Sequence, residues 1–103
     1  MHAAIASHLT DLAGLCRRYG VARLEVFGSA ARGSDFDPQR SDADFLVMFT
    51  KDAALSPLSQ YIGFAEALED LLGRKVDLVD RESVRNPFVS AAIDRDREVV
   101  YAA

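Results

Sequence analysis

Apolar and polar residues follow two different periods along this chain, which predicts a succession of helices and strands. In residues 2–19 the apolar positions recur at the spacing of an α-helix, and Gly20 follows as a C-terminal stop. Residues 21–27 are predicted to form a strand. Residues 44–49 form a nearly continuous apolar run, as expected for a buried central strand.

The second half of the chain carries clear helix signals. Ser56 is a predicted N-cap, Pro57 suits the first helical position, and Gly73 ends the helix. The apolar spacing predicts a buried stripe made of Leu58, Ile62, Ala65, Leu68, Leu71 and Leu72.

Three shorter elements follow. Residues 76–79 are predicted to form a third strand, and residues 98–101 a last one. Between them Asn86-Pro87 opens a short helix over residues 88–94, whose inward residues are predicted to be Phe88, Val89, Ala92 and Ile93.

This order of elements predicts the fold class. A helix, a strand, a helical turn and a second strand precede two further helix–strand pairs, without repeats or an internal linker. We therefore expect an α+β (mixed α/β) fold, in which helices pack on a small mixed sheet of three to four strands. With 103 residues, the chain is expected to form one domain spanning residues 1–103.

Composition excludes several classes of protein. The net charge is −4 and no long run of Lys or Arg occurs, which argues against direct binding of duplex nucleic acid. No apolar stretch approaches ~20 residues and no export signal is visible, so we expect no membrane span and a cytoplasmic location. Cys16, the only cysteine, falls in the apolar pattern of the first helix and is expected to pack as a small hydrophobe.

Candidate chemistry is concentrated between the first two strands. Gly28-Ser29 ends the first strand, where free backbone N–H groups and a hydroxyl suit phosphate oxygens. Asp42 and Asp44 lie two residues apart at the head of the second strand, so both carboxylates are expected on one face. Phosphate-binding groups beside paired carboxylates suit Mg²⁺ and a nucleoside triphosphate.

The Ser-Asp-x-Asp sequence occurs twice, and only one copy is suited to this role. Asp35 and Asp37 are followed by Pro38, which cannot continue into a central strand, so they are predicted to be solvated loop residues. Residues 29–32 are predicted to form a helical turn closed by Gly33. Two interpretations of its Arg32 stay open. Arg32 could contact a phosphate, or it could have no such role and instead face solvent or pair with an acidic loop residue.

Asp77 is the third candidate carboxylate, because it interrupts the apolar third strand. Next to the strand of Asp44, it would meet the other two carboxylates; alternatively, it is an edge-strand residue that faces water. At ~4 Å and an effective dielectric near 20, each pair of carboxylates repels by about 4 kcal/mol. A cation or a proton must relieve that repulsion, and oxygen ligands favour Mg²⁺ or Mn²⁺ over zinc.

These motifs together resemble the polymerase-beta-type nucleotidyltransferase superfamily. The resemblance rests on Gly28-Ser29, on the run from Ser41 to Asp44 entering an apolar strand, and on the later Asp77. The short length and the Gly-Ser-Ala-Ala-Arg-Gly stretch are similar to the minimal nucleotidyltransferases, which are commonly MntA-like antitoxins of HEPN-domain ribonuclease toxins. The loop between Gly33 and Ser41 is rather long for the family pattern, so the motif does not fix the local shape of the phosphate site.

The resemblance implies roles for the matching residues. Asp42 and Asp44 would bind two Mg²⁺ ions, and Asp77 would bind the one that activates the acceptor. The predicted nucleotide-binding residues are Gly28, Ser29, Arg32 and Ser41. The resemblance implies ATP as the donor and a tyrosine hydroxyl of a HEPN toxin as the acceptor. The small size of the chain fits this, because one such domain leaves little to enclose an acceptor, which a partner would then have to supply.

Two alternatives remain at this stage. The chain could be an antitoxin that masks its toxin by docking alone, or it could transfer a nucleotide to a small molecule. Three mutually repelling carboxylates would serve no purpose in a protein that only docks. Transfer to a small molecule would require an acceptor domain, for which the sequence offers no residues.

Overall fold

A mixed sheet forms the centre of the computed structural model, which describes residues 1–37, 42–51 and 53–103. Within these ranges the sheet has four strands, and the fold also contains five α-helices and a short 3-10 turn at Arg81–Ser83. In chain order the elements are α1 (Ala3–Ala6), α2 (Leu9–Arg18), β1 (Val21–Phe27), α3 (Ser29–Arg32), β2 (Ala43–Phe49), α4 (Pro57–Leu72), β3 (Val76–Asp80), α5 (Pro87–Asp96) and β4 (Glu98–Ala102).

The strands are arranged in the order β3-β2-β1-β4. β1 pairs antiparallel with both β2 and β4, whereas β2 pairs parallel with β3. The parallel pair is joined through α4, as a parallel connection requires a crossover. This confirms the predicted α+β class and the mixed sheet.

The two faces of the sheet have different environments. α2 and α4 contact each other and the sheet, and they enclose the main apolar cluster with Leu24 and Val26 of β1 and Phe45 of β2. Since successive side chains of a strand point to opposite faces, the side chains of Glu25 and Asp44 face away from this cluster. The stabilising core and the candidate chemistry therefore lie on opposite sides of one sheet.

Local sequence signals predicted most element ends correctly. Ser56 caps α4 by accepting a hydrogen bond from the Ser59 backbone N–H at 3.2 Å, and Gly73 ends that helix in the left-handed conformation. Asn86 caps α5 through the Phe88 N–H at 2.9 Å. Cys16 is fully buried, as expected for a small hydrophobe.

The predicted first helix is in fact two helices. α1 ends at Ala6 and α2 starts at Leu9, so the single helix expected over residues 2–19 is wrong. The His2 N–H donates to the Ala30 carbonyl at 2.7 Å, and the His2 ring packs on Phe36 with centroids 4.7 Å apart. These tertiary contacts hold α1 against α3, and a continuous apolar period cannot reveal such a change of direction.

The buried stripe of α4 also differs from the prediction. Its buried residues are Gln60, Phe64 and Leu68, four positions apart, whereas Leu58 and Ile62 are exposed. The Gln60 amide donates to the Tyr19 carbonyl at 3.1 Å, and more weakly to two neighbouring carbonyls. A buried polar side chain that is hydrogen-bonded in this way can occupy a core position. Of the other residues predicted for this stripe, Leu68 is fully buried. Ala65, Leu71 and Leu72 are partly buried against the core.

The inward face predicted for α5 is largely wrong. Ile93 is buried, but Phe88 is 84% exposed, and Val89 and Ala92 are exposed as well. Ion pairs hold the C-terminal end of α5 in place, because Asp96 and the following Arg97 bind partners on α3 and β1. Phe88 and Val89, in the N-terminal half, are left exposed. In the described part of the chain, no helix is long and apolar enough to cross a membrane.

Candidate active site

Asp44 and Asp77 lie side by side in the sheet. They are register partners in the parallel β2–β3 pair, so their side chains leave the same face. β3 is an edge strand and Asp77 is exposed, so Asp77 faces water, as one of the two alternatives foresaw. It is also the neighbour of Asp44 in the sheet, as the other alternative foresaw. Asp42 directly precedes β2 and is exposed.

The carboxylate of Asp44 lies in a position that disfavours its charge. Its pKa is raised from 3.8 to about 6, first by partial burial and then by repulsion from Asp77 and from Asp42. The positive charge of Arg32 acts in the opposite direction. Asp44 is thus ionised near neutral pH at a cost in free energy, which a cation near the three carboxylates would remove.

A bend at Gly28 brings the backbone against Asp44. Phe27, the last residue of β1, pairs with Asp44, and Gly28 follows with φ 68° and ψ −151°, a conformation that essentially only glycine adopts. A Cβ atom at residue 28 would lie 2.5 Å from Asp44 Oδ2. The glycine is therefore required both by the turn and by the space that the carboxylate occupies.

Ser29 begins α3 directly after this bend. The Gly28 carbonyl accepts hydrogen bonds from the N–H groups of Ala31 and Arg32, both at 3.1 Å, and the Ser29 carbonyl accepts one from Gly33 at 2.8 Å. The predicted turn over residues 29–32 and its closing glycine are therefore present. Ser29 is half-buried at the same end of the sheet as Asp44.

Arg32 pairs with two acidic residues. Its Nη2 lies 2.7 Å from Asp35 Oδ2, and its Nη1 lies 2.6 Å from Asp96 Oδ2. Pairing with an acidic loop residue, one of the two interpretations left open by the sequence, is thus observed. Asp35 and Asp37 are exposed outside the strands, as predicted, although Asp35 is engaged by Arg32. Asp96 lies 64 residues from Arg32, and no sequence signal links the two.

Ser41, predicted to bind nucleotide, lies outside the described residues. The remaining predicted residues lie around the end of β1 and the starts of β2 and β3; they are Gly28, Ser29, Arg32, Asp42, Asp44 and Asp77.

The donor chemistry of the three aspartates suits a hard divalent cation such as Mg²⁺ or Mn²⁺. Across residues 1–37, 42–51 and 53–103, no three carboxylate, imidazole or thiol side chains are already arranged to hold a metal ion. The repulsion that raises the Asp44 pKa also opposes closer approach of the carboxylates. The residues fit the ion by donor type, and Asp44 and Asp77 also share one face of the sheet.

Replacement of Gly28 by alanine tests the contact with Asp44. We expect Gly28→Ala to lower the free energy of unfolding by about 2–4 kcal/mol, since an unfavourable φ and a steric collision add together. Gly73→Ala is the control, because Gly73 also has positive φ but has open space around it. Urea unfolding of both variants, with and without Asp44→Ala, measures the difference. If Asp44→Ala reduces the loss of stability in neither glycine variant, or reduces it equally in both, Gly28 and Asp44 do not collide as the structure indicates.

The pH dependence of stability tests the electrostatics of Asp44. An acid whose folded pKa is raised destabilises the fold when ionised, so the penalty is absent below about 3.9 and fully developed above the folded value of about 6. We expect Asp44→Asn to raise the metal-free melting temperature at pH 7.5 by about 4–8 °C, corresponding to ~1 kcal/mol after solvent screening. The gain should shrink as pH falls from 6 to 4.

The exposed Asp70→Asn on α4 is the matched control for this measurement. It should give a small difference from wild type that does not change over the same pH range. A gain for Asp44→Asn that is constant with pH, or a loss of stability at pH 7.5, would show that Asp44 is not under this electrostatic stress.

Most of this chain is similar in sequence to known proteins. Protein adenylyltransferase MntA of Thermococcus cleftensis is 39% identical over 87 residues, which cover 84% of this chain and 80% of the relative. A Methanocaldococcus jannaschii protein, provisionally named a protein adenylyltransferase, is 39% identical over 79 residues, covering 77% of this chain and 76% of its own. These alignments relate most of this chain to proteins named for one activity.

Solved structures share the fold. A protein provisionally described as a minimal nucleotidyltransferase superposes with a TM-score of 0.71 at 32% identity, covering 90% of this chain and 89% of that one. Two complexes show the fold alone. A toxin–antitoxin with AMP-PNP gives 0.68 at 21% identity (92% and 73% covered), and a tri-AMPylated Shewanella oneidensis HEPN toxin with its MNT antitoxin gives 0.65 at 18% (95% and 72%).

The family match spans almost the whole chain. The family described as nucleotidyltransferase domain matches residues 12–100, a range that contains the bend at Gly28 and all three candidate carboxylates. The chain thus belongs to the nucleotidyltransferase domain family, and it is an enzyme of the minimal, MntA-related type.

Proposed function

We propose that this protein transfers AMP from ATP to a hydroxyl group of a partner protein, with Mg²⁺ as cofactor. The observation that supports this most directly is the placement of Asp44 beside Asp77 on one face of the sheet, against the Gly28 bend. In a nucleotidyltransferase domain, such a placement puts acidic ligands next to a backbone that can approach phosphate oxygens closely.

Asp42, Asp44 and Asp77 are the residues that would hold the metal. When bound there, Mg²⁺ supplies positive charge that neutralises the transferring phosphoryl group and lowers the pKa of the acceptor hydroxyl. Asp77, exposed on the edge strand, is the carboxylate most accessible to an incoming acceptor and is proposed to take its proton. The acceptor oxygen forms a bond to the α-phosphorus, and the bond to the leaving pyrophosphate breaks.

Phosphate binding is proposed for the segment from Gly28 to Arg32. The side-chain-free backbone of Gly28 and the hydroxyl of Ser29 lie at the end of the sheet where Asp44 is placed. Arg32 is paired with Asp35 and Asp96, so a phosphate would have to compete with two carboxylates for its guanidinium group. Ser41 is retained in this proposal from its position in the motif.

A HEPN-domain toxin is the proposed partner, with a tyrosine as acceptor, and this chain would be its antitoxin. The support comes from relatives named protein adenylyltransferase and from the shared fold of an MNT antitoxin solved with a tri-AMPylated HEPN toxin. AMP-PNP in another complex of the same fold supports ATP as the nucleotide. A cytoplasmic location is part of the same proposal.

Co-expression with a HEPN-domain protein from the neighbouring open reading frame tests the proposal. Intact-mass spectrometry of the partner should show one or more added AMP units with wild type. Asp44→Asn should slow transfer by about a thousandfold or more, because several kcal/mol of charge stabilisation are lost and each 1.36 kcal/mol is a factor of ten.

The exposed Asp70→Asn should transfer at the wild-type rate. A partner that binds the wild type tightly but never gains mass would contradict catalysis and favour an antitoxin that acts by masking. Transfer by Asp44→Asn within a few-fold of wild type would remove the aspartates from the mechanism.

A further inference from the structure

A cavity of about 200 Å³ opens on the face of the sheet that carries Asp44. Its lining includes Leu46 and Met48, which follow Asp44 by two and four positions on β2 and therefore point to the same side. At a strand rise of ~3.3 Å per residue, these two positions lie about 7 and 13 Å from Asp44 along the strand. Glu25, the β1 partner of Leu46, also lines the cavity.

The charges around this cavity are predominantly positive. Three arginines line it, Arg23, Arg81 and Arg97, against the single carboxylate of Glu25, which gives +2 in a chain whose net charge is −4. Glu25 is 4% exposed and is held by Arg23 Nε at 2.7 Å and by Arg97 Nη1 at 3.4 Å. These two arginines therefore compensate a buried charge.

Arg81 differs from the other two arginines. In the described part of the chain, no carboxylate forms an ion pair with it. It lies in the 3-10 turn directly after β3, the strand that carries Asp77. A guanidinium group has five donors in a planar fork that matches carboxylate and phosphate oxygens. Arg81 is thus an available cation in a concave site.

The cavity lies on the attacking side of the proposed reaction centre. The Gly28 bend follows Phe27, the partner of Asp44, and so lies at one end of the sheet. The cavity lies on the other side of Asp44 along β2, starting at Leu46 and continuing to Met48. In an in-line displacement the nucleophile approaches from the side opposite the leaving group. With pyrophosphate leaving at Gly28, the acceptor approaches over the cavity.

We propose that this arginine-lined cavity binds an oxyanion of the acceptor, either a phosphodiester or a carboxylate, and so positions the acceptor hydroxyl at Asp44 and Asp77. This rests on the proposed function. The volume is below the ~300–1,000 Å³ of pockets that enclose a whole small-molecule ligand, so it suits a single chemical group. Arg81 makes the direct contact, while Arg23 and Arg97 keep Glu25 neutralised.

The oxyanion has two sources. It is the phosphodiester of a nucleotide already attached to the acceptor, which would position the new terminal hydroxyl for another transfer. Alternatively, it is an acidic side chain beside the acceptor residue, which would position the first hydroxyl. Both sources share the chemistry that the guanidinium group of Arg81 recognises.

Direct binding is measured on the full chain, without metal or nucleotide, by NMR of the arginine Nε–Hε signals. Dimethyl phosphate is the phosphodiester probe and acetate is the carboxylate probe. We expect saturable shifts of the Arg81 signal and none at Arg17, an exposed arginine of α2 outside the cavity. Arg81→Ala should weaken binding of the probe, followed at Arg23 and Arg97, by about tenfold or more, and Arg81→Lys by less.

Transfer to the partner protein distinguishes the two sources. If the oxyanion is an acidic side chain, Arg81→Ala raises the KM of the first transfer about tenfold with little change in kcat, and Arg17→Ala does not. If it is a phosphodiester, the first transfer is unchanged and the later additions are lost from the mass spectrum.

The proposal is overturned if Arg81 gives only linear, non-saturating shifts equal to those of Arg17. It is also overturned if Arg81→Ala behaves like the control Arg17→Ala and changes neither the KM nor the number of added nucleotides. The NMR measurement needs no catalysis, so it decides the cavity even if the wild type transfers nothing and the proposed function fails.

Discussion

The Asp44 carboxylate lies against a bend of the backbone that has room for it only because residue 28 has no side chain. Burial and two neighbouring aspartates make its ionised form unfavourable, and raise its pKa to about 6. The sheet must therefore be stable enough to hold this carboxylate, despite the repulsion, where the end of β1 lies beside the starts of β2 and β3. Both the proposed metal binding and the proposed phosphate binding depend on this one contact.

The sheet meets that requirement by separating stability from chemistry. Its covered face is packed by α2 and α4, where Phe45 and Phe64 are fully buried. Its other face holds the aspartates, the buried Glu25 with its arginines, and the cavity beside them. Since alternate residues of one strand serve the two faces, Phe45 anchors β2 in the core while Asp44 presents its charge to the ligand side.

The sequence predicted features that depend on neighbouring residues. The caps at Ser56 and Asn86, the glycine stops and the strand carrying Asp44 all follow from local rules, and the Asp44–Asp77 pairing followed once both strands were placed in one sheet. Features that depend on distant contacts were missed. The Gln60 side chain is buried because carbonyls of other elements accept its hydrogen bonds, and Arg32 is engaged by Asp96 across 64 residues. Neither contact leaves a periodic signal.

Metal titration measures whether Asp44 and Asp77 form one cation site. Titration of Mn²⁺ into the wild-type protein, followed by the electron paramagnetic resonance signal of free Mn²⁺, should show saturable binding. Asp77→Asn should weaken that binding at least tenfold, as loss of a coordinating charge would require, and the exposed Asp70→Asn should leave it unchanged. Equal Mn²⁺ affinity in all three proteins would show that Asp77 and Asp44 meet in the sheet without forming a cation site.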